Sequence, residues 1–176
     1  MSAPAAVLLL MTNLLPAGTS FYAKADLSYD PTLIGTFRYP KTKENIIVSK
    51  GGMASYRVVM SDRTGETAFD AKLFNLAVDG RERPVRFLDL TPAPEPLRPS
   101  YRFPAAASHL AVRVDWDDGE LRLAAVDRRW LDSTLKEEDM PLVGTALTQD
   151  VEGLQKLLAW AVAEDRFVKP LIFERR

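Results

Sequence analysis

Residues 112–123 constrain the fold more than any other part of the chain. Apolar and polar residues alternate on both sides of Asp118-Gly119, the period of a strand with one buried face. Gly119 suits a two-residue type I′ turn, because glycine takes positive φ without a Cβ clash. That turn sets Trp116 against Leu121, Val114 against Leu123 and Val112 against Ala125. Asp115 then falls opposite Arg122 on the wet face. A one-residue slip would turn the whole apolar set to water.

A second hairpin has the same logic. Residues 56–60 and 67–71 flank Asp62-Arg63-Thr64-Gly65. A four-residue loop pairs Met60 with Thr67, Val58 with Phe69 and Tyr56 with Ala71. It also sets Arg57 opposite Asp70 on the other face, an opposite-charge pair that supports the register. Further strands are expected over residues 33–39, 46–48, 85–90 and 171–173. Asp127 is placed to cap a short helix carrying Trp130, Leu131 and Leu135. Thr148 is placed to cap a longer one, with Val151, Leu154, Leu157, Leu158 and Ala161 in one stripe. The expected fold is mainly β (α+β): an antiparallel meander of six to eight strands curled into a barrel or half-barrel. One or two C-terminal helices follow, one of them covering an open end or edge.

The first 25 residues stand apart. No charged side chain precedes Lys24, and Val7, Leu8, Leu9, Leu10, Met11, Leu14 and Leu15 form an apolar run closed by Pro16 and Gly18. A helix there is about 16 Å long at ~1.5 Å per residue, too short for a hydrocarbon core of about 30 Å. Three roles fit. The segment docks on a membrane or partner, or is a signal ending near Ala23-Lys24-Ala25, or belongs to the core. Docking is the leading expectation, with residues 1–25 as leader and 26–176 as a single β-rich domain.

Chemistry is sparse. There is no cysteine, which removes thiolate catalysis, disulfides and zinc-thiolate sites. The net charge of −1 gives no long-range pull on nucleic acid. Arg81, Arg83 and Arg86 alternate with Glu82 and Pro84 and read as a solvated turn. Pro96-Leu97-Arg98-Pro99 has the PxxP form but reads as an extended surface crossover. Asp115 to Glu120 is acidic, yet its glycine is misplaced for a calcium loop. His109, the one histidine, cannot build a multi-histidine metal site; it reads as structural, with a hydrolase using His109 as an alternative. Phe37, Tyr56, Phe69, Phe87 and Trp116 could either fill the core or line an apolar ligand pocket.

Gly35-Thr36-Phe37, on the first strand after the N-terminal extension, resembles the G-x-W element of the lipocalin superfamily, with Phe in place of Trp. Meander order and a late amphipathic helix are similar too, over residues 31–175. The leader, with Leu15-Pro16-Ala17-Gly18 before Thr19, resembles that of small bacterial envelope proteins, although no lipid-bearing cysteine follows. The resemblance implies a cup for a small apolar ligand and transfers no catalytic residue. The functional expectation is a non-enzymatic accessory or binding protein without cofactor. Its partner would be a membrane surface or larger membrane complex of the cell envelope, periplasmic or membrane-peripheral. A periplasmic carrier is the alternative.

Overall fold

A computed structural model describes residues 6–93 and 108–176. The chain begins with a helix, α1 (Ala6–Asn13), and a short strand, β1 (Leu15–Ala17). Six strands follow: β2 (Leu27–Ser28), β3 (Gly35–Arg38), β4 (Asn45–Lys50), β5 (Tyr56–Ser61), β6 (Glu66–Leu76) and β7 (Val85–Pro92). Next come β8 (His109–Trp116), β9 (Glu120–Ala124), α2 (Arg128–Glu137), β10 (Leu142–Val143), β11 (Ala146–Leu147), α3 (Val151–Ala163) and β12 (Leu171–Arg175). Pro92 ends β7, and the PxxP segment lies outside the described residues.

The strands β3 to β9 form an antiparallel meander, and β12 closes it by pairing with β9 on one side and β3 on the other. The result is a closed eight-stranded antiparallel barrel of the expected mainly β class, an architecture compatible with a lipocalin-like fold. Both hairpins hold their predicted registers: Tyr56 pairs with Ala71, Val58 with Phe69 and Met60 with Thr67, and Trp116 pairs with Leu121 and Val114 with Leu123. Arg57 reaches Asp70 at 3.4 Å.

The turn chemistry differs. Neither Asp118 nor Gly119 takes positive φ, so the turn is not type I′. Asp117 Oδ1 accepts from the backbone N–H groups of Gly119 and Glu120, both at 2.9 Å, and this Asx-type lock replaces the need for left-handed backbone. Arg122 bonds Asp117 and Glu120, while Asp115 bonds Arg86. Asp127 caps α2 as expected. The cap of α3 is Asp150, which accepts from Gly153 N–H at 2.9 Å, not Thr148, whose hydroxyl donates to the Pro141 carbonyl.

Closure needs a tight seam. Arg175 on β12 lies over the Phe37 ring of β3, with its Cζ 4.7 Å from the centroid. It donates to the carbonyls of Ile34 at 2.9 Å and Thr32 at 2.7 Å. A Cβ at position 35 would collide with the Arg175 guanidinium. Glycine at position 35 thus lets the last strand clasp the first.

Two apolar clusters divide the molecule. The inner one fills the barrel with alternate strand residues such as Phe69, Leu90 and Val112. The outer one lies between the barrel wall and the C-terminal helices: Phe74, Phe87 and Ala111 meet Leu131 of α2 and Leu154, Leu157 and Leu158 of α3. The late helices therefore cover a face of the wall and not an open end. The end of the barrel is closed by α1, from the segment expected to dock elsewhere. Val7, Leu10, Met11 and Leu14 lie at i, i+3, i+4 and i+7 and all enter the inner cluster, one helix face at the required spacing. Leu15 of β1 joins the outer cluster, and β1 pairs with β8 over residues 109–111, where β9 has ended.

Glu44, in the β3–β4 loop, fixes this helix. Its carboxylate is buried and accepts from the N–H groups of Ala6 and Val7, both at 3.0 Å, while the Thr42 hydroxyl donates to it at 2.6 Å. The first turn of a helix leaves such donors without partners, and a carboxylate also complements the positive end of the dipole. Glu44→Ala is expected to cost about 2–4 kcal/mol in denaturant unfolding, from two orphaned buried donors. Glu44→Gln, which keeps one acceptor oxygen, should recover part of that loss.

Candidate functional site

The five aromatics proposed for ligand binding do not share a pocket. Phe37, Tyr56, Phe69 and Trp116 belong to the inner cluster, and Phe87 to the outer one. Strand alternation separates them: Leu88 and Leu90 of β7 point inward, so Phe87 points out. There it stacks on Phe74 with centroids 5.5 Å apart. The polar tips inside are also committed. The Tyr56 hydroxyl accepts from Asp30 N–H at 2.7 Å and donates to Asp30 O at 3.1 Å. Trp116 Nε1 donates to Thr32 Oγ1 at 2.9 Å. Both aromatics tie the 30–34 segment to the barrel instead of presenting a polar group to a ligand.

Besides Glu44, a second buried carboxylate among the described residues lies on the outside of the wall. Asp89 of β7 and His109 of β8 both point outward. Asp89 is 2% exposed. Its Oδ1 lies 2.9 Å and its Oδ2 3.1 Å from His109 Nδ1. Oδ2 also accepts from Phe21 N–H at 3.1 Å. An ionised carboxylate can only accept, so Nδ1 carries the proton and Nε2 is the free ring face. The hydrogen bond to Asp89, reinforced by its charge, holds the His109 pKa above its ordinary 6.5, while burial opposes the shift. Burial, and then the Asp89 charge, raise the Tyr22 phenol above its ordinary value.

Compared with known proteins, this chain matches no family model, no curated protein and no solved structure. The chemistry of the pair must therefore be read from its geometry.

An oriented Asp–His pair is the base half of a nucleophilic triad. The other half requires a hydroxyl on Nε2. Among the described residues, Ser108 Oγ donates to Gly18 O at 2.9 Å and Thr19 Oγ1 to Gln149 O at 3.2 Å, so neither hydroxyl is bonded to the His109 ring. The pair instead pins the residue 18–22 segment and the β7–β8 wall together. Sequence reading singled out His109 but missed Asp89 and Glu44. A signal for Asp89 existed: one carboxylate interrupts the apolar run Phe87-Leu88-Asp89-Leu90. Glu44 gave none, since its partners are backbone amides some forty residues earlier.

The docking residues separate along α1. Val7, Leu10, Met11, Leu14 and Leu15 are buried within the protein, and Leu8 and Leu9 remain 40% and 47% exposed. The buried face of the helix is used up by its own barrel, which leaves a two-leucine outer face.

Because the folded His109 pKa lies above its unfolded value, the stabilisation it brings is complete below about pH 6.5 and is lost as pH rises through the folded value. NMR titration of the His109 ring should show a midpoint above 6.5 in the wild type. Asp89→Asn should lower that midpoint and flatten the decline in stability on the alkaline side. An unchanged midpoint would remove Asp89 as the cause.

Proposed function

We propose that this protein is a non-enzymatic binding or accessory module of the cell envelope, seated peripherally on a membrane surface by the barrel mouth that α1 closes. The observation that carries the reading is the division of α1 into two faces. One face, Val7, Leu10, Met11 and Leu14, is held inside. The other presents Leu8 and Leu9 at the mouth. Among the described residues no helix is long and apolar enough to cross a membrane, which agrees with a seat on the surface.

The alternative of an apolar-ligand carrier in the barrel finds less support. A carrier of this architecture needs space inside, and α1 occupies one end of that space with its own side chains. The resemblance of Gly35-Thr36-Phe37 to the lipocalin element is supported by the barrel architecture, and we read the protein as a lipocalin-like barrel adapted as a filled scaffold. In that reading recognition moves to the outer surface.

Deleting the N-terminal segment cannot test the seat, because it would remove part of the core. Leu8→Ser/Leu9→Ser changes only the outer face. Two half-exposed leucines contribute roughly 2 kcal/mol of apolar burial together, so the double variant should partition about tenfold or more less onto phosphatidylethanolamine–phosphatidylglycerol vesicles with unchanged thermal unfolding. Equal flotation of variant and wild type would reject the seat. Binding to native membranes but not to protein-free vesicles would replace lipid with a membrane protein complex. The filled interior is tested separately. Leu10→Ala should cost about 2–5 kcal/mol and create a dry cavity that binds a small apolar probe, whereas the wild type binds none.

A further inference from the structure

We infer that the end of the barrel opposite α1 carries a binding site for a compact, multiply charged oxyanion of the diphosphate or polycarboxylate class. The site is a groove of about 510 Å³ between the β6–β7 loop and the outer side of β8, lined by Arg81, Arg83, Arg86, Arg113, Asn75 and Asp115. Its volume lies in the range of small-molecule sites. Four arginines line it against one lining carboxylate, in a chain whose net charge is −1. A concave surface with charge of one sign concentrates its field on small counter-ions.

The carboxylate does not quench the cluster. Asp115 bonds Arg86 and makes no ion pair with the other three among the described residues. Arg81 reaches only the Val162 carbonyl, at 3.4 Å. Arg83 is exposed at the rim and pairs with no carboxylate among the described residues. Two of the guanidiniums are also set in place by aromatic rings. The Arg86 Cζ sits 3.8 Å above the Trp116 ring, and the Arg113 Cζ lies 5.3 Å from the Phe167 centroid. Stacking fixes the plane of each donor fork, so less side-chain freedom is lost on binding. The Arg86 fork is shared with Asp115, and the Arg113 fork makes no ion pair among the described residues. Guanidinium forks match the paired oxygens of phosphate and carboxylate, which a lone ammonium does not. A second depression continues from Arg113 and Asp115 towards Arg122, Lys169 and Asp165. Its charge is mixed, since Arg122 is paired with Asp117 and Glu120, so the four-arginine groove carries the site. The turn read from sequence as solvated thus supplies three walls of a groove, because β8 brings Arg113 beside it.

The groove and the α1 mouth lie at opposite ends of the strands. In the proposed seat the groove faces away from the bilayer, so the ligand is a soluble molecule and not a lipid headgroup. That direction rests on the proposed function; the site does not. Calorimetric titration of the full chain with inorganic pyrophosphate should show saturable binding at one site, weakening as salt is raised. Arg83→Gln and Arg113→Gln should each weaken it tenfold or more. Arg63→Gln, at the other end of the barrel, should leave it unchanged, and so should Leu8→Ser/Leu9→Ser even if vesicle binding fails. Absence of saturable binding, or equal weakening by all the arginine variants, would overturn the site. Loss of binding to phosphatidylglycerol vesicles in Arg83→Gln and Arg113→Gln, without pyrophosphate binding in the wild type, would assign the groove to lipid headgroups and overturn the soluble ligand.

Discussion

A closed eight-stranded barrel has an interior that must be filled, and here the first helix of the same chain fills one end of it. At this strand number the lumen is just wide enough for side chains or one small ligand. The face of α1 carrying Val7, Leu10, Met11 and Leu14 fills part of that interior. Burial alone would leave the helix with unbonded amides against an apolar core. Glu44 resolves this by reaching the first two described N–H groups. The barrel and α1 therefore share one buried apolar cluster and are joined by the Glu44 hydrogen bonds.

The same economy governs the outer wall. Strand alternation forces half of the side chains on β6, β7 and β8 outward, and α2 and α3 exist to bury Phe74, Phe87 and Ala111. At residues 18–22 the same wall also carries a buried polar contact, beside the buried Phe21 of the outer cluster. Asp89, buried and bonded to both His109 Nδ1 and Phe21 N–H, is satisfied from two sides. A carboxylate so enclosed is tolerated because its partners replace water. Its hydrogen bond holds the His109 pKa above the ordinary histidine value, so the stability of this part of the wall depends on pH.

Much of the barrel was legible because its information is local and periodic. The pairs Tyr56–Ala71 and Trp116–Leu121 follow from alternation and loop length alone. The details that failed are those in which a side chain substitutes for backbone geometry. Asp117 made a positive φ at Gly119 unnecessary, and Asp150 displaced Thr148 as cap. The role of the N-terminal run was ambiguous for a different reason. A short apolar helix looks the same whether its partner is a bilayer or its own core, and only the spacing 7, 10, 11, 14 hinted at one buried face. The candidate sites were least legible, since Glu44 with Ala6, and Arg113 with Arg83, meet only after the strands have paired.

Gly35 has a physical role of its own, whatever the resemblance. In a G-x-F element the glycine could be read as a simple strand-forming compromise, for glycine weakens a strand. The Arg175 guanidinium occupies the space where a Cβ would stand, covers the Phe37 ring and satisfies two carbonyls of the 32–34 segment. The penalty at one strand position is offset by a clasp between the first and last strands of the ring. That clasp lies at the same end as the Trp116–Thr32 and Tyr56–Asp30 bonds. This end is thus closed by hydrogen bonds and cation–aromatic contacts, and the other by an apolar helix. The two ends therefore differ: the groove arginines lie at one, and the exposed Leu8 and Leu9 of α1 at the other.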